Sequence, residues 1–325
     1  MGVITMNRPK ISLAQLPTPL HPLPRLSTFL GGPEIWAKRD DQTGLAFGGN
    51  KTRKLERLVG QARDDGAEVL LTRGARQSNH CRQTAAAAAY AGMECTLILS
   101  GEPPDDINAN LLLDHLLGAE IIWTGSDDPE QTLQHSFQEK LKADKKAFLI
   151  PYGGSSPLGA SAYADAIDEL HAQGERFDRI VFATSSGGTQ AGLLAGVQKH
   201  SMKMIVDGIS VDKPASELAP IIAELSTSVL DLLELGGTIK PDKVMVDDRF
   251  LGEGYAVMGA LEREAIRLFA RYEGLLLDPV YTGRAAGGML RKIRSGEISA
   301  NERVLFWHTG GTPALFAFAD TLLNK

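Results

Sequence analysis

Short apolar runs that alternate with longer helical segments constrain the fold of this chain most strongly. Eight runs have the length and apolar character of buried strands: Val69–Thr72, Thr96–Leu99, Ile121–Thr124, Ala147–Ile150, Ile180–Ala183, Met204–Ile209, Val244–Val246 and Val304–Trp307. Helical patterns occupy much of the remaining chain: residues 51–63, 79–91, 109–117, 129–142, 158–173, 189–198, 255–272 and 312–323. Strands that alternate with helices form parallel sheets with helices on both faces. The predicted fold class is therefore α/β, in three layers of helix, sheet and helix.

Length and charge narrow the class of protein further. A chain of 325 residues is long enough for two lobes with a cleft between them. Its net charge is −6, from 34 basic and 40 acidic residues, which argues against a nucleic-acid or anionic-membrane partner. No run approaches the roughly 18 apolar residues of a membrane span. The proline-broken segment 1–20 has no signal-peptide character either, so we expect a cytoplasmic protein.

The sequence does not predict a metal centre or a disulfide framework. The chain contains only two cysteines, Cys81 and Cys95, and they form no CxxC pair. Its seven histidines show no ligand-like clustering. We therefore look for chemistry in the loops that follow the predicted strands, since ligands of α/β proteins bind there.

The first such loop contains Gly48, Gly49, Asn50 and Lys51. The glycines permit a tight turn, and Asn50 is a predicted N-cap for the helix that follows. Lys51 would then lie in the first helical turn, where the helix dipole disfavours a cation and promotes the neutral amine that Schiff-base chemistry needs. Taken alone, the segment fits an ordinary capped surface helix better.

Two further loops join a predicted strand to a helix. Ser78 and Asn79 precede one helix, and N–H groups at such a helix start can hold a carboxylate, although simple capping explains both residues. The small-residue loop 185–189 precedes another helix and favours phosphate binding by backbone amides. Because GxGxxG and GK[ST] patterns are lacking, this loop does not indicate a dinucleotide or nucleoside triphosphate.

The last loops, 281–283 and 308–312, are small polar turns that each open a helix. His308 alone is more typical of a structural histidine than of a catalytic one. The chain also lacks the GxSxG pattern of a nucleophile elbow.

Together these loops resemble the pyridoxal 5′-phosphate (PLP) enzymes of fold type II, the tryptophan synthase β-like group. Within this group the sequence is most similar to 1-aminocyclopropane-1-carboxylate (ACC) deaminases and D-cysteine desulfhydrases. The resemblance runs from about Leu16 to near the C-terminus and includes seven ordered motifs: WAKRDD at 36–41, GGNKTRKLE at 48–56, QSNHCRQTAA at 77–86, PYGGSS at 151–156, SSGGTQAG at 185–192, LLLDPVYTG at 275–283 and HTGGTPALFAF at 308–318. Cysteine synthases and threonine deaminases share the fold but differ in the lysine and substrate loops.

The resemblance implies an architecture and a set of site residues. It implies a small α/β domain over residues 50–162, a larger PLP-binding domain formed by 1–49 and 163–325, and a homodimer. The implied catalytic residues are Lys51, Ser78 and Tyr281. The implied cofactor-binding residues are Lys51, Asn79, Ser186, Gly187, Gly188, Thr189 and Thr309. The implied substrate-binding residues are Ser78, Asn79, His80, Tyr255, Tyr281 and Thr282.

Each group of implied residues has a role in the resembled family. Lys51 would carry PLP and move the Cα proton of the substrate, and Ser78 would sit at the substrate carboxylate. Asn79 would contact the 3′-oxygen of PLP, and the 186–189 loop would hold its phosphate. Thr309 would face the pyridine nitrogen.

Two threonines favour one member of the branch. ACC deaminases typically carry glutamate and leucine where this chain has Thr282 and Thr309, whereas D-cysteine desulfhydrases carry threonines. A hydroxyl near the pyridine nitrogen leaves the ring less electrophilic than a carboxylate does. Expelling a thiolate from Cβ needs a weaker electron sink than opening a cyclopropane. The predicted reaction is β-elimination of D-cysteine to hydrogen sulfide, ammonia and pyruvate.

Alternatives remain open at this stage. Arg76 stands where relatives commonly have an apolar residue, and its guanidinium could pair with the second anionic group of a substrate such as cysteate. Because Arg76 fits an outward-facing or structural role better, an L-cysteate sulfo-lyase is only an alternative. ACC deaminase, amino-acid racemase and a non-catalytic PLP-binding homologue are the others.

Overall fold

The computed structural model describes residues 9–323, and two sheets organise this part of the chain. The larger sheet has six strands in the order β1-β2-β10-β7-β8-β9. These strands are β1 (Leu20–Pro22), β2 (Glu34–Arg39), β7 (Arg179–Thr184), β8 (Ile205–Ser210), β9 (Met245–Asp247) and β10 (Arg303–His308). All its neighbouring strands are parallel except the antiparallel pair β1 and β2.

The smaller sheet is entirely parallel, with the strand order β5-β4-β3-β6. Its strands are β3 (Val69–Gly74), β4 (Glu94–Leu99), β5 (Glu120–Trp123) and β6 (Ala147–Leu149). This sheet falls within the predicted small domain, and every strand of the larger sheet falls outside it. The domain limits at residues 50 and 162 remain a prediction.

Eleven α-helices accompany the strands in the described residues. They are α1 (Pro24–Leu30), α2 (Asn50–Asp64), α3 (Asn79–Ala91), α4 (Ala109–Leu116), α5 (Pro129–Lys142), α6 (Pro157–Ala172), α7 (Gly188–Lys199), α8 (Ala215–Leu232), α9 (Ala260–Glu273), α10 (Thr282–Arg294) and α11 (Ala319–Leu323).

Alternate residues of β7 show that helices cover both faces of the larger sheet. Val181 packs in one core cluster with residues of α9 and α10. Ile180 and Phe182 point to the opposite face and pack with residues of α6 and α7. The predicted three-layer α/β/α arrangement is therefore confirmed.

The predicted strands are all present, each within two residues of its expected bounds, but two strands were missed. One of them, β2, carries Lys38 and Arg39, so it does not form a continuous apolar run. Lys38 is nevertheless buried, because it donates to the Thr18 carbonyl and pairs with Glu169. These partners are distant in sequence, and the apolar pattern could not reveal them.

Several helix predictions were wrong in extent. Helices α1 and α8 were not predicted. The helix expected from Tyr255 begins only at Ala260, because the chain turns through a left-handed conformation at Ala256 (φ 61°). The helix expected over 312–323 is a 3-10 helix over Thr312–Phe318 followed by the short α11.

A buried ion network anchors the start of α2. The Arg53 guanidinium donates to both carboxylate oxygens of Asp40, over 2.9 and 3.0 Å, and also pairs with Glu169. Tyr163 and Trp307 donate to Asp40 as well. Burial alone would raise the pKa of Asp40, but the charge and hydrogen bonds of Arg53 hold it below its usual value.

We expect Asp40→Asn to lower the free energy of unfolding by about 2 kcal/mol, because in either orientation the introduced NH₂ would face an N–H of Arg53 and at least one further donor. Urea unfolding of the apoprotein measures this change. Asp106→Asn is the matched control at an exposed position, with an expected effect within about 0.5 kcal/mol. Equal stability of the two variants would contradict a supporting role for this network.

Candidate active site

A cavity lies beyond the carboxyl ends of strands from both sheets, with lining residues that follow β3, β7 and β10. Most of the predicted site residues line it: Lys51, Ser78, Asn79, His80, Ser186, Gly187, Thr189, Tyr255, Tyr281 and Thr309. Gly188 and Thr282 are adjacent in sequence to lining residues but do not line the cavity themselves. The topology thus brings predicted residues from six separate chain segments to one place, as expected for an α/β fold.

The lysine loop enters α2 differently from the prediction. The residue before the helix is Gly49, and Asn50 is already helical, so the predicted N-cap at Asn50 is wrong. Gly49 has a φ of 126°, and a Cβ there would lie 2.7 Å from the Gln83 side chain. The Asn50 side-chain amide instead donates to the Thr189 hydroxyl over 3.2 Å. Asn50 thereby connects the lysine loop to the 185–189 loop.

Lys51 lies in the first turn of α2, as predicted. Its amine donates to the Gly153 carbonyl over 3.2 Å, and within residues 9–323 it forms no ion pair with a carboxylate. Burial lowers the pKa of Lys51 to about 8. The predicted direction of this shift is confirmed, but burial rather than the helix dipole accounts for it.

The lowered pKa predicts a pH profile for the reactivity of Lys51 in the apoprotein. The fraction of neutral amine rises tenfold per pH unit below about pH 8 and levels off above it. Labelling of Lys51 by a small amine-reactive reagent, resolved by peptide mass spectrometry, should follow this curve, with exposed Lys203 as the internal control. A labelling rate that keeps rising up to about pH 10, as for an ordinary lysine, would contradict the lowered pKa of Lys51.

The 185–189 loop leads from β7 into α7, whose first residue is Gly188. The Gly188 N–H donates to the Ser155 hydroxyl over 3.1 Å, and the Ser155 hydroxyl donates to that of Ser186 over 2.8 Å. A Cβ at Gly188 would lie 2.5 Å from the Ser155 oxygen and 3.0 Å from the Lys54 amine. Only glycine therefore leaves space where these donors converge.

Lys54, which the sequence did not single out, lies beside Gly188 at the edge of this site without lining the cavity. It follows Lys51 by one helical turn, is buried, and donates to the Gly153 carbonyl over 3.1 Å. Burial, and then the charge of Lys51, lower its pKa well below the usual value. No carboxylate among the described residues pairs with it, and an unpaired buried cation is costly unless a ligand brings the opposite charge.

These features together fit PLP. A buried amine, hydroxyl groups and the amides at the start of a twelve-residue helix are suited to a phosphate group. Lys51 supplies a nearby amine of lowered pKa for an aldehyde. Lys54, Ser155, Ser186 and Thr189 are thus the side chains that could hold the phosphate.

The substrate loop follows β3. Ser78 caps α3, as predicted, and its hydroxyl accepts from the Cys81 N–H over 3.2 Å. His80 is buried, and its Nε2 lies 3.0 Å from the Thr72 hydroxyl. Burial, followed by the charges of Lys51 and Lys54, lowers the pKa of His80 well below its ordinary value, so its imidazole is neutral.

Two tyrosines, Tyr255 and Tyr281, also line the cavity. The hydroxyls of Tyr255 and Tyr281 lie 2.7 Å apart, and their rings meet edge to face. Burial raises the pKa of both phenols, so both remain protonated at neutral pH.

Thr282 was expected to bind the substrate, but it does not line the cavity. It is buried, and its hydroxyl donates to Asp278 over 2.7 Å. Asp278 also accepts from the backbone N–H groups of residues 280–282, which fixes the turn that presents Tyr281. Asp278 was not predicted, although its position four residues before a helical threonine is consistent with such a cap.

Two further candidates lie apart from the cavity lining. Arg76 is exposed and does not line it. His308 is buried, with its Nε2 3.2 Å from the Leu276 carbonyl and its Nδ1 accepting from the Gly310 N–H. The structural role expected of His308 is confirmed.

Residues 9–323 contain neither a candidate metal site nor a candidate membrane-spanning helix. No group of three or more His, Cys, Asp or Glu side chains there could hold a metal ion. No helix in the same range is long and apolar enough to cross a membrane. Residues 1–8, which begin the segment judged unlike a signal peptide, lie outside the described residues.

Comparison with known proteins agrees with the site. The family model described as pyridoxal-phosphate dependent enzyme matches residues 11–310. The fold and the site therefore define a PLP-dependent enzyme.

Individual relatives narrow the family. An ACC deaminase of Burkholderia lata is 38% identical over 332 residues, which cover 97% of this chain and 98% of the relative. A D-cysteine desulfhydrase of Salmonella newport is 40% identical over 320 residues, which cover 95% of this chain and 96% of the relative. The chain belongs to the family of PLP-dependent enzymes that contains ACC deaminases and D-cysteine desulfhydrases.

Solved structures support the same fold. The crystal structure of an ACC deaminase homologue superposes with a TM-score of 0.91 at 35% identity, covering 98% of this chain and 96% of that one. An L-serine ammonia-lyase of Rhizomucor miehei, at 19% identity and a TM-score of 0.71, shares the fold. The predicted fold type II is confirmed.

Proposed function

We propose that this enzyme eliminates hydrogen sulfide from D-cysteine, and that one water then hydrolyses the released aminoacrylate to ammonia and pyruvate. The observation that carries the proposal is the absence of any Asp or Glu among the described residues that line the cavity. Thr309 lines the cavity, and Thr282 is turned towards Asp278. Without a carboxylate at the pyridine nitrogen the electron sink is weaker, which suits a good leaving group such as a thiolate.

Lys51 is the group that we assign to proton transfer at Cα. Its pKa of about 8 lies close to neutral pH, which lets the amine both accept and return a proton. When bound, PLP withdraws the electrons that the departing Cα proton leaves behind. Lys54 and the 186–189 loop hold the phosphate end, so Lys51 stays aligned with the reacting carbon.

The remaining lining residues orient the amino acid. The Ser78 hydroxyl and the backbone N–H groups at the start of α3 bind the substrate carboxylate. In the Tyr255–Tyr281 pair one hydroxyl donates to the other, so the accepting hydroxyl keeps its own proton. That proton can be donated to the leaving sulfur, and the raised pKa of both phenols keeps it in place until then.

A product assay on the purified holoenzyme tests the proposal. Sulfide and pyruvate are measured with D-cysteine, L-cysteine, ACC and cysteate as separate substrates. We expect D-cysteine to give both products with the highest kcat/KM. Faster formation of 2-oxobutyrate from ACC, or of sulfite from cysteate, would overturn the substrate assignment.

The position of Arg76 bears on the cysteate alternative. Since Arg76 is exposed and does not line the cavity, it gives no support to recognition of a sulfonate there. We expect Arg76→Ala to change kcat/KM for D-cysteine less than about threefold, as for other surface substitutions. A selective loss of activity on cysteate in this variant would reinstate that alternative.

We also propose that the enzyme is a cytoplasmic homodimer with two domains, residues 50–162 and the remainder. Separate sheets in the two parts of the chain support the division. Light scattering of the holoenzyme tests the dimer, and a mass equal to that of one chain would contradict it.

A further inference from the structure

We propose that Arg82 and Asn110 are positioning residues that lock the side chain of Asn79 with its NH₂ group towards the cavity. This inference rests on the proposed contact between Asn79 and the cofactor and goes beyond it. It assigns the direction of the hydrogen bond at that contact and the residues that impose the direction. Among these groups the guanidinium of Arg82 can only donate, and this property sets the orientation of the others.

The sequence of contacts begins at Arg82. This residue of α3 is buried, and its guanidinium donates to the Gly48 carbonyl over 2.8 Å and to Asn110 Oδ1 over 3.1 Å. A guanidinium carries only donors. The Asn110 atom that faces it must therefore be the oxygen.

The other end of the Asn110 side chain is fixed independently. Its Nδ2 donates to the backbone carbonyl of Gln77 over 2.9 Å, and a carbonyl can only accept. The same Nδ2 donates to Asn79 Oδ1 over 2.9 Å. The contacts of Oδ1 with Arg82 and of Nδ2 with Gln77 therefore require the same orientation of the Asn110 amide. In that orientation the oxygen of Asn79 must face Asn110.

The NH₂ group of Asn79 is left for a ligand. Asn79 lines the cavity, and within residues 9–323 its Nδ2 makes no hydrogen bond to protein. The Nδ2 atom lies against Gly311, where an added Cβ would approach it to 2.8 Å. The two ends of a side-chain amide look alike in shape, so the hydrogen-bond network decides their orientation. A ligand atom that meets Asn79 here meets a donor and must be an acceptor.

The backbone around Asn110 also indicates that the position of this residue is tightly constrained. Asn110 is fully buried, and its own N–H donates to the Gln77 side chain over 2.9 Å. The preceding residue, Ala109, has a φ of 48°, which is unfavourable for any residue other than glycine. The chain adopts this strained conformation where it places Asn110 between Arg82 and Asn79.

The orientation of Asn79 has a consequence for the bound cofactor. A donor aimed at the 3′-oxygen of PLP favours the negatively charged form of that oxygen. The absorbance of the lysine-linked cofactor reports this protonation equilibrium as the pH is changed. The titration thus gives a readout that does not depend on turnover.

Asn110→Asp tests the proposal with almost no change in shape. The introduced carboxylate can still accept from Arg82, but it can only accept at the other end, so Asn79 must turn its NH₂ away from the cavity. We expect the pKa of the lysine-linked cofactor, read from its absorbance, to change by about one unit or more. We expect the dissociation constant for PLP to rise roughly tenfold.

The same Asn110→Asp substitution is also made in an Asn79→Ala variant. This control is needed because the introduced charge could act on the cofactor directly, without Asn79. A through-space effect would persist without the Asn79 amide, whereas an effect that acts through Asn79 would vanish. If Asn110→Asp does not fold, Asn110→Ala supplies the test. It frees the amide of Asn79, and we expect a smaller titration shift that also disappears in the Asn79→Ala background.

The proposal is overturned if the shift is the same with and without Asn79, or if neither Asn110 variant that folds moves the titration. These outcomes are independent of the substrate. An enzyme that proves inactive on D-cysteine but keeps its cofactor would still give an interpretable titration.

Discussion

Replacing Lys51 with alanine is expected to lower β-elimination by a factor of roughly 1,000 or more, because one side chain supplies both the covalent attachment of PLP and the proton transfer at Cα. The side chain meets the requirements of both tasks. It is partly buried, this burial lowers its pKa to about 8, and its amine donates to the Gly153 carbonyl. Steady-state rates of pyruvate formation measure the loss.

The control for Lys51→Ala is Lys203→Ala, at an exposed lysine far from the loops of the site in sequence. It should keep the full rate. PLP should still bind non-covalently to Lys51→Ala, since the phosphate-holding residues are unchanged, and equilibrium dialysis tests this. A variant that binds PLP and retains more than a tenth of the original rate would contradict the assignment of Lys51.

Replacing Lys54 with methionine is expected to move cofactor affinity and protein stability in opposite directions. The buried amine has no carboxylate partner among the described residues, so burying this ionisable group destabilises the apoprotein. We expect the apoprotein to gain about 1 kcal/mol of unfolding free energy and the affinity for PLP to fall roughly 100-fold. Urea unfolding and fluorescence titration with PLP measure the two quantities.

The pH dependence of the Lys54 effect follows from its lowered pKa. Because the pKa is lower in the folded protein than in the unfolded chain, the unfolded chain binds more protons between the two values. The apoprotein should therefore gain stability as the pH rises through this window, and Lys54→Met should reduce that gain. Lys54→Arg is the control that keeps the charge. Lower stability of Lys54→Met with unchanged PLP affinity would show a merely structural role.

The sequence predicted those parts of the fold that depend on local pattern. The eight predicted strands are short apolar runs, so the local composition alone located them. Ser78 was predicted as a cap because capping depends on neighbouring residues. The phosphate loop combines small residues with a following helix, which is again a local signal.

The features of the site that were not predicted depend on contacts between residues far apart in the chain. Lys54 looks like any helical lysine until α2 packs against Gly153, which removes it from water. The direction of Thr282 was wrong because Asp278 competes for its hydroxyl. The role of Asn110 needs Arg82 and Asn79 from another helix, and no spacing rule connects them.

Identification of the lysine that carries PLP is the strongest test of the proposed active site. Borohydride reduction of the holoenzyme fixes PLP to the amine that carries it, and peptide mass spectrometry then identifies the lysine. We predict a single modified site at Lys51, with Lys54 unmodified in the same peptide or its neighbour. Modification at Lys54, or at a lysine outside the 48–56 loop, would contradict the site described here.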